Sequence, residues 1–385
     1  MSQLPYGRQQ IGPIDHAAVA EALDARFLTQ GPRVELFELA LAEFVGASYA
    51  VVFNSGTAAL HAAYAAAGIG PGGVVLTSPI TFVADQNAAL YLGGGIAFAD
   101  VDPDSALIDM GSVERCTDRD VWVVVPVHFG GEVADLERLA AIAASRGWIV
   151  VEDAAHALGA TYRTKDGVEH QVGACHHSTM SCLSFHPVKQ ITTGEGGAVT
   201  TNDASLYRRL QRFRSHGITR VPAEMEQADG PWYYEQQVLG FNYRLSDLQC
   251  ALGLAQLSQL PGWLQDRGRV AQWYQTRLVG HPSIRMLERP VWSSGAHHLF
   301  VVRVPPGMRR HCYDALVARE IGVNVHYIPV YRQPFYRRAG FAGTTRPGAE
   351  AYYASALTLP MFPAMTEEQV ERVVSALDTA LTSRT

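Results

Sequence analysis

The chain has 385 residues, 48% of them hydrophobic and 18% charged, enough for a large core and more than one domain. A formal net charge of −6 argues against a general nucleic-acid binder. No apolar run reaches the roughly 18 residues of a membrane span, "MSQLPYGRQQ" lacks the apolar stretch of a signal peptide, and the five cysteines (Cys116, Cys175, Cys182, Cys250 and Cys312) form no CxxC pair. These features predict a cytoplasmic enzyme with no membrane or nucleic-acid partner and no metal.

"GPRVELFELALAEFVG" places Val34, Phe37, Leu41 and Phe44 on one helical face, with Pro32 in the first turn and Gly46 at the stop. "YAVVF" (49–53) is a short buried strand, followed by "NSGT" and an alanine-rich helix. Further strands are expected in "VVLTSPI", "GIAFADV", "VWVVVPV", "WIVVED", "MSCLSF" and "GAVTT", with helices in "TFVADQNAALYLG" and "DLERLAAIAASRG". Alternation of this kind predicts an α/β fold with a mostly parallel sheet covered on both faces. Two long helices are expected to meet at Pro261-Gly262. Beyond them, strands "HHLFVVRV" and "VNVHYIPV", a helix in "HCYDALVAREIG" and a final helix capped by Thr366 and Gln369 suggest a smaller α+β domain. The expected division is an N-terminal segment 1–30 contributing to the substrate site, a large domain 31–262 and a small domain 263–385.

Four stretches at successive strand ends carry candidate chemistry. "NSGT" (54–57) opens a helix, where free N–H groups, a hydroxyl and a glycine can cradle an anion; an ordinary N-cap is the alternative. "VVEDAAHALGA" ends a buried strand with Asp153, His156 following three residues on. Ligands of open α/β sheets bind at such strand ends, although Asp153 could simply cap a helix. Phe82 follows the strand "VVLTSPI" and could be no more than a core aromatic. Lys189, in "SFHPVKQITTGEGGAVT", is either a turn residue or a placed amine. "GIGPGG" precedes a strand and reads as a helix stop and turn rather than a nucleotide fingerprint. "CHHS" (175–178), taken as strand, would point its histidines to opposite faces, against a metal site. A phosphate cradle, an aromatic, an aspartate and a lysine together are the set that pyridoxal phosphate chemistry requires.

These stretches, with "LTQGPRVELFE", "FRSHGI" and "GFNYRLSDLQCALGLAQL", resemble the nucleotide-sugar aminotransferases of the fold-type-I pyridoxal phosphate group over nearly the whole chain. The resemblance implies pyridoxal 5'-phosphate as cofactor, Lys189 as its Schiff-base lysine and Asp153 as partner of the ring nitrogen. It puts His156 beside the ring hydroxyl, Phe82 on the ring face, and Gly56, Thr57 and Ser184 on the phosphate. Asn242 and Arg244 would reach into a partner's site, which implies a homodimer with shared active sites. "PYGRQ", "FLTQGP" and "VHYIPVYRQPFY" narrow the likeness to the branch acting in pseudaminic acid biosynthesis. That branch aminates C4 of a UDP-4-keto-6-deoxy-N-acetylhexosamine with L-glutamate, yielding 2-oxoglutarate. Its substrate contacts would fall on Tyr6, Arg26, Phe27, Leu28, Thr29, Gly56, Ser184, His326, Tyr327, Ile328 and Pro329. "NSGT" and "HPVK" depart from that branch's frequent "NSAT" and "HAIK" without removing a reacting group. A transaminase for another 3-keto or 4-keto nucleotide sugar, a sugar 3-dehydratase, a non-catalytic cofactor-binding regulator and a cofactor-free Schiff-base aldolase are the alternatives. The presence of Lys189 argues against the dehydratase, in whose relatives a histidine stands there.

Overall fold

A computed structural model describes residues 3–227 and 229–383. The outermost residues of the expected first and last segments lie outside this range. Seven strands form the main sheet: β1 (Tyr49–Phe53), β2 (Val74–Thr77), β3 (Gly95–Phe98), β4 (Val121–Val125), β5 (Ile149–Asp153), β6 (Met180–Ser184) and β7 (Gly197–Thr201). Their order is β1-β7-β6-β5-β4-β2-β3. Only β7 runs against the others, pairing antiparallel with both β1 and β6. The mostly parallel α/β sheet is therefore present as the alternation predicted.

Strand composition explains why both faces are covered. Val51, Phe53, Val75, Val123 and Val125 pack with Ala58, Ala62 and Ala88 of the helices Gly56–Ala66 and Ala84–Tyr91. Leu76, Val124 and Val150 pack on the other face with Leu139 and Ala143 of the helix Leu136–Arg146. The helix Pro32–Val45 starts at Pro32 and stops at Gly46, whose φ of 78° only glycine adopts cheaply. Phe37 and Leu41 on its inner face are fully buried. Missing from the sequence reading is the helix Pro13–Leu23, which lies against the long helix Asp247–Leu278. Its buried positions are only Asp15 and Ala22, so it shows almost no apolar stripe.

The expected break at Pro261-Gly262 does not occur. One helix runs from Asp247 to Leu278, with Pro261 inside it. Proline costs an interior helix about 3 kcal/mol. Leu257, Leu260 and Trp263 anchor the first half in one cluster, and Val270, Tyr274 and Leu278 anchor the second in another. At about 1.5–3 kcal/mol per buried side chain, that anchorage outweighs the proline. The expected 262/263 boundary thus falls within a helix.

Beyond it, Phe300–Arg303 pairs antiparallel with Arg285–Met286 and Ala356–Leu359. Val370, Val373 and Leu377 of the capped helix Glu367–Thr382 cover this sheet, and Leu4 joins the same cluster through a bridge to Ile321. "VNVHYIPV" is not the expected strand: it makes one bridge, Asn324 to Thr358, and then turns away. Side-chain and carbonyl bonds replace a ladder there. His326 Nδ1 lies 2.8 Å from Thr358 Oγ1, and the Tyr352 hydroxyl donates to the His326 carbonyl at 2.6 Å. Nor is "CHHS" a strand. His176 and His177 lie on a bend, and the His176 ring stacks on His170 at 3.8 Å. Among the described residues no metal-ligating cluster is found, and no helix is long and apolar enough to cross a membrane.

Candidate active site

Parallel strands end together, so the segments following β1, β2, β5 and β6 converge on one edge of the sheet. There they surround a cavity of about 620 Å³. Of the residues expected in a site, Tyr6, Gly56, Thr57, Phe82, Asp153, His156, Ser184, Lys189, His326, Tyr327 and Ile328 line it.

The cradle is built by close backbone approach. Ser55 caps the helix Gly56–Ala66, its Oγ accepting the Ala58 amide at 3.1 Å. Among the described residues neither the Gly56 nor the Thr57 amide meets a protein acceptor, so both are free to bind an anion. A Cβ on Gly56 would come within 3.0 Å of the Ser184 Cβ and 3.1 Å of its Oγ. Gly197 holds the edge together: it pairs with both Phe53 and Ser184, and a Cβ there would lie 2.7 Å from the Ser55 carbonyl oxygen.

Lys189 follows β6 on a turn closed by its own amide donating to the His186 carbonyl at 2.9 Å. Desolvation pushes its amine down from 10.5 to about 8, although the Asp153 charge pulls the other way. Asp153, the last residue of β5, accepts the Ala155 amide at 3.0 Å and is 7% exposed. The Gly130 amide donates to His156 Nδ1 at 3.3 Å, so the proton of a neutral ring sits on Nε2 and faces the Tyr327 hydroxyl oxygen at 3.2 Å. Burial first, then the positive charge of Lys189, holds His156 well below the usual histidine range, which keeps it neutral. Tyr327 also approaches Phe82, with ring centroids 6.4 Å apart. Phe82 is 59% exposed, an unusual state for a core aromatic and a suitable one for a face offered to a ligand.

The remaining expected residues lie elsewhere. Arg26, Phe27, Leu28 and Thr29 are exposed on the outside of this chain, because the turn they form is tied to the long helix and not to the cavity. Asp247 accepts the Gly31 amide at 2.8 Å and the Arg33 amide at 3.1 Å, and its own amide donates to the Leu28 carbonyl. Pro329 is buried behind the cavity, where the next residue's amide bonds the Pro79 carbonyl. Asn242 and Arg244 do not line the cavity of their own chain.

Among the lining residues not expected from the sequence are Asp85, Glu195 and His298. Asp85 sits in the first turn of the helix Ala84–Tyr91, and its place three residues after Phe82 was the available signal. Glu195 lies in the glycine-rich run after Lys189. The His298 ring lies tilted against that of His156, centroids 4.3 Å apart, and nothing in "GAHHLF" singles it out from His297.

A lysine with a depressed pKa, an aspartate facing it and a free helix N-terminus fit pyridoxal phosphate, and residues 9–378 match the model of the DegT/DnrJ/EryC1/StrS aminotransferase family. The chain belongs to that family. It is 37% identical to the spore coat polysaccharide biosynthesis protein SpsC of Bacillus subtilis, covering 97% of this chain and 96% of that one. It is 33% identical to the UDP-4-amino-4,6-dideoxy-N-acetyl-beta-L-altrosamine transaminase of Campylobacter jejuni, with the same coverage of 97% and 96%. Helicobacter pylori PseC, an aminotransferase involved in the biosynthesis of pseudoaminic acid, superposes over 100% of both chains with a TM-score of 0.91 at 30% identity. Streptococcus pneumoniae Spr1654, solved in PLP and PMP forms, superposes over 98% of both chains in the former with a TM-score of 0.89 at 25% identity. This member of the DegT/DnrJ/EryC1/StrS family is a fold-type-I, pyridoxal-phosphate-dependent sugar aminotransferase.

Proposed function

We propose that this aminotransferase moves the amino group of L-glutamate to C4 of a UDP-4-keto-6-deoxy-N-acetylhexosamine, as in pseudaminic acid biosynthesis. The observation that carries the reading is Lys189, an amine titrating near 8 in the wall of a cavity it shares with Asp153 and the free end of the helix Gly56–Ala66. Its support for the substrate is the likeness to the Campylobacter transaminase and to PseC.

When bound, pyridoxal phosphate supplies the electron sink that makes an amino acid's α-proton removable. Lys189 Nζ takes that proton as a neutral amine and returns it as an ammonium, a role suited to a group poised near working pH. Asp153 would hold the ring nitrogen, His156 the ring hydroxyl and Phe82 the ring face. The Gly56 and Thr57 amides and Ser184 Oγ would hold the phosphate. Tyr6, His326, Tyr327 and Ile328 would hold the sugar, with Pro329 bracing them from behind.

In a homodimer with shared sites, Asn242, Arg244 and the exposed turn Arg26–Thr29 would complete the partner's cavity. The Arg244 guanidinium suits bidentate contact with the glutamate carboxylate or the substrate diphosphate. The free cysteines fit a reducing, cytoplasmic setting. The Bacillus relative favours one second reading, an acceptor that is another nucleotide keto-sugar.

The visible spectrum of the purified enzyme tests the first half-reaction. A yellow band bleached by L-glutamate, and absent from Lys189→Ala, is expected. Protein that stays colourless when given pyridoxal phosphate contradicts the assignment of Lys189.

A further inference from the structure

Asp85 is a buried carboxyl that the reaction as described does not use. It is 1% exposed, yet it lines the cavity beside Asp153. Tyr64 donates to its Oδ1 at 3.2 Å and Thr81 to its Oδ2 at 2.7 Å. Its carboxyl shares the cavity wall with that of Asp153, whose charge acts on it directly. The titratable groups around it are Asp153, Tyr64, Cys182, Tyr327 and Tyr336, all of them acids. Two facing carboxylates in such a place cannot both stay ionised.

The surroundings decide which one keeps the proton. Asp153 shares the cavity wall with the Lys189 amine and accepts the Ala155 amide at 3.0 Å, so N–H donors already point at its oxygens. Asp85 is the more buried of the two and accepts only hydroxyls. Burial, and after it the Asp153 charge, push Asp85 well above the usual carboxylate range.

We propose that Asp85 is a positioning residue for the cofactor: it stays a neutral carboxylic acid at working pH and donates its proton to Asp153. The pair then carries one negative charge. One Asp153 oxygen is fixed by Asp85, leaving the other for the ring nitrogen. This rests on Asp153 being the ring-nitrogen partner, but the protonation itself is a property of the cofactor-free protein.

The test is infrared spectroscopy of the cofactor-free enzyme in heavy water at pH 7. The wild type should show the carbonyl band of a protonated carboxyl. Asp85→Asn should lose it. Asp153→Asn should retain it, shifted to higher frequency, because an amide oxygen is a weaker acceptor than a carboxylate. Thr81→Val removes a bond that favours the charged form of Asp85, so the pH at which the band disappears should rise. As a second readout, Asp85→Leu should raise the cofactor Kd about tenfold while Asp85→Asn, which still donates to Asp153, stays near wild type. No band in the wild type, or a band lost in Asp153→Asn and kept in Asp85→Asn, overturns the proposal. The colour test of the cofactor site stands apart from this outcome.

Discussion

The depressed titration of Lys189 can be read directly, because the chain contains only two lysines, Lys165 and Lys189. Lys165 is on an exposed turn and serves as the reference amine. The perturbation is pH, applied to cofactor-free enzyme with an amine-directed acylating reagent, and the readout is mass spectrometry of the two lysine peptides. Only the neutral amine reacts. At pH 7 an amine titrating near 8 is neutral in about one molecule in eleven, whereas one at the ordinary 10.5 is neutral in about one in 3,000. Lys189 labelling should therefore climb about tenfold per pH unit below 7 and level off above 8. Asp153→Asn removes the charge that holds the Lys189 pKa up, so its curve should level off at lower pH than the wild type. A Lys189 rate still rising tenfold per unit at pH 9.5 would refute the argument that burial governs this amine.

Further outcomes follow from the same geometry. Between about pH 8 and 10.5 the unfolded chain binds more protons at Lys189 than the folded chain does, so wild-type stability gains with pH across that window. Lys189→Met should accordingly stabilise cofactor-free enzyme by about 2–3 kcal/mol at pH 7, with the gain fading towards pH 10.5, as read by denaturant unfolding. Gly56→Ala, which restores the "NSAT" of the resembled branch, needs Ser184 to give by only a few tenths of an ångström and should raise the cofactor Kd by no more than about tenfold in fluorescence titration. If sites are shared, Lys189→Ala and Arg244→Ala subunits, each inactive alone, should regain up to about a quarter of wild-type activity when unfolded together and refolded as a mixture. No recovery, in mixtures that do form hybrid dimers, would place Arg244 outside the partner's site.

Local chemistry made the main sheet legible. Its strands are short apolar runs, several of them valine-rich, and the ends "NSGT", "TSPI", "ED" and "SFH" are where most of the candidate cofactor residues lie. Elements governed by distant packing were not legible. Pro261 breaks a helix by local rules, but Leu260 and Trp263 are seated in a cluster with residues such as Phe37 and Phe185, far away in sequence. "VNVHYIPV" alternates like a strand, but His326 finds its partners on Thr358 and Tyr352. Asp85 belongs to an ordinary helix start until the fold sets it against Asp153 and Tyr64. The turn at Arg26–Thr29 shows the same limit in reverse. Its residues resemble a substrate-binding segment, and within one chain Asp247 pins them outside the cavity.

Amino transfer from glutamate to C4 of the UDP-linked keto-sugar leaves its mark in the position of one nitrogen. The most direct test incubates the enzyme with nitrogen-labelled L-glutamate and the UDP-4-keto-6-deoxy-N-acetylhexosamine, then locates the label in the product by NMR. The labelled nitrogen is expected on C4, with 2-oxoglutarate released in equal amount. Label on C3, or no labelled sugar from an enzyme whose yellow band glutamate does bleach, would contradict the proposed acceptor.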